Sequence, residues 1–131
     1  AGTNKSSRQK LQKTFSESNT VTILGYTDQM PLYLRACDLV FTKPGGLTST
    51  EAAVCGTPMV HTRPIPGCET ENRHFFVQNG MSISALTPTL QIKKGLKLLR
   101  HPNRAHQMTL CQQEHIHQDA AEKLYQFLKT L

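Results

Sequence analysis

Four short apolar runs punctuate this chain: VTILG at 21–25, DLVFT at 38–42, TPMVHT at 57–62 and MSISAL at 81–86. They read as near-continuous apolar runs rather than as strands with one wet face, although Ser82 and Ser84 interrupt MSISAL. Near-continuous apolar runs of this length suit strands buried on both faces. Between them lie segments with helical spacing, joined by short Gly- and Pro-containing turns. Strand and helix in strict alternation predict an α/β fold, a Rossmann-like parallel sheet with helices on both faces.

The predicted helices have recognisable starts and stops. Residues 5–16 place Leu11 and Phe15 four apart among basic residues. Asp28 is a candidate cap for a helix over 29–36 with Pro31 in its first turn. LTSTEAAVCG stops at Gly56, and a helix over 69–79 stops at Gly80. Thr87 caps a helix that has Pro88 in its first turn and carries Leu90, Ile92, Leu96 and Leu99. After His101-Pro102 one last helix is expected to run to the end, with Ile116, Ala120, Leu124 and Leu128 at four-residue steps. Residues 1–131 read as one domain. The first helix is entered by AGTN, with no strand before it, whereas a doubly wound sheet would want one there. The expectation is a sheet lacking its first strand, with an upstream strand and possible upstream domain preceding Ala1.

Ligands of open parallel sheets bind beyond the carboxyl ends of the strands. Three loops lie there. The most informative is Thr42-Lys43-Pro44-Gly45-Gly46-Leu47-Thr48-Ser49-Thr50-Glu51. A strand ends, two glycines permit close backbone approach, and a helix begins. The first amides of a helix lack internal partners and carry partial positive charge, which suits a phosphate or diphosphate. Lys43 and the hydroxyls of Thr48 and Ser49 are further candidate donors. No G-x-x-x-x-G-K-[ST] pattern is present, so this is not a P-loop. The Glu51 carboxylate can accept from two vicinal hydroxyls, such as those of a ribose; the competing reading is a capping-box Glu serving Thr48.

The other two loops each have two readings. Gly25-Tyr26-Thr27-Asp28-Gln29-Met30 suits docking of a base, or a hydrophobic staple around the next helix. Pro64-Ile65-Pro66-Gly67-Cys68-Glu69-Thr70-Glu71-Asn72 sets Glu69 and Asn72 on one helix face. That pairing suits a polyol such as a sugar, or is ordinary helix-start chemistry.

Several functions are disfavoured. Net charge is +6, with Lys5, Arg8, Lys10 and Lys13 in one block and Lys93, Lys94, Lys97, Arg100 and Arg104 in another. The blocks read as solvated helix faces or as attraction to an anionic membrane surface. Nucleic acid is a poor match, because aromatics are 6% of the chain and none interleaves with the basic blocks. Cys37, Cys55, Cys68 and Cys111 fit neither a zinc site nor a disulfide framework and read as reduced thiols of a cytosolic protein, Cys37 and Cys55 as small core residues. The six His residues form no metal pair at helical spacing and no Ser-His-Asp order, so surface or structural roles are expected, and neither a metal nor a catalytic residue is assigned.

At these residues the chain resembles the carboxy-terminal domain of glycosyltransferase family 28. The likeness rests on Gly25-Tyr26 with Met30, on the string from Asp38 to Glu51 containing T-K-P-G-G-L-T-x-x-E, on Gly56-Thr-Pro-Met-Val, and on Pro66-Gly67-x-Glu69-x-Glu71-Asn72. It covers about residues 1–100 and is strongest toward processive diacylglycerol glycosyltransferases and monogalactosyldiacylglycerol synthases. A more distant likeness is to the N-acetylglucosaminyltransferase that makes lipid II. The resemblance implies the donor lobe of a two-lobed GT-B enzyme that inverts configuration and uses no metal at the diphosphate. It implies a nucleotide site from Gly25, Tyr26, Met30, Lys43, Gly45, Gly46, Leu47, Thr48 and Glu51, and a donor-sugar site from Glu69, Glu71 and Asn72. It further implies a UDP-sugar donor with no other cofactor, a lipid acceptor held by an amino-terminal lobe that also supplies the base, and work at the cytoplasmic face of the cell membrane. Relatives often carry Gln where this chain has Cys68. Two other classes share features of the pattern: a nucleotide-sugar 2-epimerase lobe, and a non-catalytic or split-subunit donor-binding module.

Overall fold

The structure is a computed structural model describing residues 2–130. It divides into two compact units, Ala1–Met30 and Pro31–Leu131.

The first unit contains helix α1, Lys5–Thr14, capped by the Asn4 side chain, which accepts from the Ser7 amide at 2.9 Å. The run at 21–25 forms no strand, contrary to the pattern. Its composition is strand-like, but a strand exists only against a hydrogen-bonding neighbour, and among the described residues the ladder contains three other strands.

The second unit holds the sheet. Helix α2 is Met30–Ala36, β1 is Val40–Thr42, α3 is Gly46–Val54 and β2 is Met59–His61. Helix α4 is Cys68–Gln78, β3 is Ile83–Ser84 and α5 is Pro88–Leu99. The strands pair in parallel in the order β1-β2-β3, with Val40 opposite Met59 and Val60 opposite Ile83. Parallel neighbours need a crossover, and α3 and α4 supply the two.

Side chains of β2 alternate between the sheet faces. Met59 joins a buried cluster with Leu34, Ala52, Ala53, Phe76 and Met81, donated by α2, α3, α4 and the segment just before β3. Helix α5 covers the opposite face. A Cβ on its Gly95 would come within 2.5 Å of the Phe41 ring and 2.9 Å of Leu39, so the absent side chain lets the helix lie against β1. Helices on both faces of a Rossmann-like parallel sheet are thus present.

The stops of α3 and α4 follow one rule. Gly56 and Gly80 take positive φ, 70° and 69°. Around each, the next two amides bond back: Gly56 to Ala53 and Thr57 to Ala52, Gly80 to Val77 and Met81 to Phe76. These are Schellman stops, and they fix where β2 and the residues before β3 begin. Thr87 caps α5 through the Leu90 amide, as its position with Pro88 predicts.

The last helix is two helices, α6 at Pro102–His115 and α7 at Ala120–Leu128. Ile116 turns to extended backbone and packs against the core cluster, which ends α6 there. The four-residue series from Ile116 to Leu128 therefore spans a break. Helix α6 is tied to the sheet by Gln112, whose Nε2 donates to the Thr57 and Met81 carbonyls at 3.0 Å each. Cys37 is exposed rather than a core residue, while Cys55 is half-buried against the core. No described helix is long and apolar enough to cross a membrane.

Candidate functional site

The bend between β1 and α3 is built as its glycines suggest. Gly45 stands at the N-cap of α3 with no side chain capping it. The first intrahelical bond is from the Ser49 amide to the Gly45 carbonyl at 3.1 Å. The amides of Gly46, Leu47 and Thr48 have no hydrogen-bond partner among the described residues. Gly46, Leu47 and Thr48 are exposed, Leu47 to 83%. Three orphan donors at an open helix start have the chemistry to receive an anion.

Glu51 lies beside them. Gly46, Leu47, Thr50, Glu51 and Val54 line one groove of about 530 Å³. Because α3 starts at Gly46 and its cap is Gly45, Glu51 is not a capping-box residue for Thr48. Its carboxylate is exposed and without a bond among the described residues.

The bend is held from α4. Lys43 Nζ meets Glu69 Oε1 at 2.6 Å, and the other oxygen of Glu69 accepts the Ile65 amide at 2.8 Å. The Ile65 bond first, and the Lys43 ammonium next, hold the Glu69 carboxyl below its ordinary value, against the opposing effect of desolvation. Asn72 Nδ2 donates to the Pro44 carbonyl at 3.1 Å. The residues expected to share one helix face, Glu69 and Asn72, thus both reach the 43–46 turn, leaving Asn72 Oδ1 without a bond among the described residues. Gly67, at φ 112°, caps α4 in a conformation other residues adopt only with strain. Glu71 is exposed in the first turn of α4.

Two features are invisible in the sequence pattern. The first is the Lys43–Glu69 pair, which joins residues 26 apart. The second is a buried polar chain behind the bend. Ser49 Oγ and His61 Nε2 lie 3.0 Å apart, and His61 Nδ1 and Ser82 Oγ lie 3.0 Å apart. All three residues are buried, and Phe76 packs edge-on against the imidazole at 5.4 Å. Burial, with a smaller effect from the Arg73 charge, lowers the His61 pKa from 6.5 to about 4. The ring is neutral near pH 7, one nitrogen donating and the other accepting. Ser49 therefore faces inward, its hydroxyl turned to the imidazole, whereas the neighbouring Thr48 is exposed. The apolar surroundings of TPMVHT and the small residue at 49 were the only sequence hints that His61 is structural.

Gly25, Tyr26 and Met30 belong to the first unit, with Tyr26 exposed to 78%. Gly25 lies against Arg8 of α1, whose guanidinium would be 2.7 Å from an added Cβ.

A family model described as "Glycosyl transferases group 1" matches residues 1–114. A processive diacylglycerol beta-glucosyltransferase of Staphylococcus saprophyticus is 36% identical over 108 residues, 82% of this chain and 28% of that protein. Its namesake from Staphylococcus carnosus is 38% identical over 102 residues, 78% of this chain and 26% of the relative. A third namesake, from Bacillus pumilus, reaches 47% over 60 residues, 46% of this chain and 16% of its own. The chain spans about a quarter of the length of the first two relatives. The crystal structure of Acinetobacter baumannii MurG superposes on 97% of this chain and 39% of its own, with TM-score 0.77 at 18% identity, a likeness of fold. The Rossmann-like, GT-B expectation is met.

Proposed function

We propose, because the chain belongs to the glycosyl transferases group 1 family, that it is the UDP-sugar-binding lobe of an inverting hexosyltransferase acting on a lipid such as diacylglycerol. The one observation that carries the donor part is the open start of α3, with three unpartnered amides beside the free carboxylate of Glu51. In this reading Gly45, Gly46, Leu47 and Thr48 receive the diphosphate, with Lys43 adding positive charge. Glu51 takes the ribose hydroxyls, and Gly25, Tyr26 and Met30 flank the uracil. Glu69, Glu71 and Asn72 face the donor sugar. The aligned amides would stabilise charge on the departing diphosphate, the part of the chemistry that an electrostatic site can supply without a proton transfer.

The acceptor part rests on the names of the relatives, diacylglycerol beta-glucosyltransferases. An acceptor lipid and a general base would come from a further lobe, at the cytoplasmic face of the membrane. The test is calorimetric and thermal. UDP should raise the melting temperature of the folded chain by mass action. Glu51→Ala should weaken UDP binding by about 1–3 kcal/mol, the scale of hydrogen bonds to a charged group. A folded chain whose melting temperature ignores millimolar UDP would refute the donor assignment.

A further inference from the structure

A second cavity, of about 610 Å³, lies at the edge strand β3 and shares no lining residue with the groove at α3. Its size is that of a small-molecule site. Val77 of α4, Leu98 of α5 and Met108 of α6 supply apolar wall, and Lys94, Lys97 and Arg104 supply charge. Lys94 is fixed in place, because its Nζ donates to the Ser84 carbonyl at 2.7 Å. Lys97 and Arg104 have no carboxylate partner among the described residues. The sequence explains why: from Asn72 to Gln113 there is no Asp or Glu, while Arg73, Lys93, Lys94, Lys97, Arg100 and Arg104 all fall inside that stretch. The positive charge at this cavity is not neutralised by its own surroundings.

We infer that this cavity is a binding site for an anionic amphiphile, a phosphate or carboxylate head on a short apolar chain. The head lies against Lys97 and Arg104, and the chain lies along Val77, Leu98 and Met108. A purely hydrophilic anion would leave the apolar wall wet, and a neutral apolar ligand would leave three cations unanswered. Both halves of the lining thus select the same chemistry. The inference stands on this cavity alone and does not depend on the donor reading.

Calorimetry of the full chain with dihexanoyl phosphatidate, dihexanoyl phosphatidylcholine and inorganic phosphate tests it. Phosphatidate should bind one to one, with the zwitterionic lipid and inorganic phosphate each at least about tenfold weaker. Lys97→Gln with Arg104→Gln should cost about tenfold or more for phosphatidate, and added salt should weaken binding. Val77→Asn should weaken phosphatidate and leave inorganic phosphate unchanged. All three positions are exposed, and the single Lys97→Gln variant carries the test if the double one does not fold. Equal affinity for phosphatidate and inorganic phosphate would mean a simple anion site and overturn the amphiphile. Absence of phosphatidate binding, insensitivity to Lys97→Gln, or displacement by UDP would overturn the site.

Discussion

Protonation of His61 should set the acid sensitivity of the fold. The imidazole is wholly buried between Ser49, Ser82 and Phe76, and its pKa falls from 6.5 to about 4. A histidine with a depressed folded pKa binds more protons when unfolded, so stability rises with pH across the window between the two values. Integrating proton linkage over that window gives a loss of about 2 kcal/mol between roughly pH 7.5 and pH 5, growing to roughly 3 kcal/mol near pH 4. Glu69 and Asp119 also have lowered pKa values, but carboxylates of that kind give up their stabilisation at lower pH. The range above about pH 5 is therefore diagnostic for His61. Urea unfolding at a series of pH values, on the native chain and on His61→Gln, measures it. The native chain should lose stability on acidification, and the variant should show a flatter dependence whatever its absolute stability. NMR titration of the His61 ring reads the same protonation directly. Parallel pH slopes for the two chains, or a native chain that gains stability toward pH 5, would refute the reasoning.

Three further outcomes follow from named contacts. Gly80→Ala places a side chain at φ 69°, 3.1 Å from Cys111 Sγ, and should cost about 1–2 kcal/mol in urea unfolding. Gln112→Met removes the donor that serves the Thr57 and Met81 carbonyls; two buried acceptors lose a partner, for a loss of about 2–3 kcal/mol by the same assay. Lys43→Met should raise the Glu69 pKa toward its ordinary value, followed by carboxyl carbon NMR. Since the native pairing stabilises above about pH 4.5 and fades as pH falls through the lowered value, the variant should show a shallower loss of stability in acid.

The sequence made the sheet legible where local chemistry decides structure. DLVFT and TPMVHT become β1 and β2, trimmed to Val40–Thr42 and Met59–His61, and Gly56 and Gly80 stop α3 and α4 as their positions announce. What was hidden depends on partners distant in the chain. VTILG has the composition of a strand but gains no ladder among the described residues. The repeat through Ile116 looks helical until the core claims that side chain. The open amides and Glu51 were readable because a double glycine before a helix has few structural uses. The Lys43–Glu69 pair and the Ser49–His61–Ser82 chain were not, since each closes a loop whose geometry no local pattern encodes. Ser49 shows the limit: in sequence it is indistinguishable from Thr48, yet one faces solvent and the other the imidazole.

The two tethers running from α4 fasten the turn at 43–46 to another helix. Asn72 grips the Pro44 carbonyl and Glu69 grips Lys43. Of the two, only the Asn72 bond reaches the backbone just before the amides of α3, while the Glu69 bond holds the Lys43 side chain. The backbone that presents the amides of α3 is thus held in place by a side chain of a different helix.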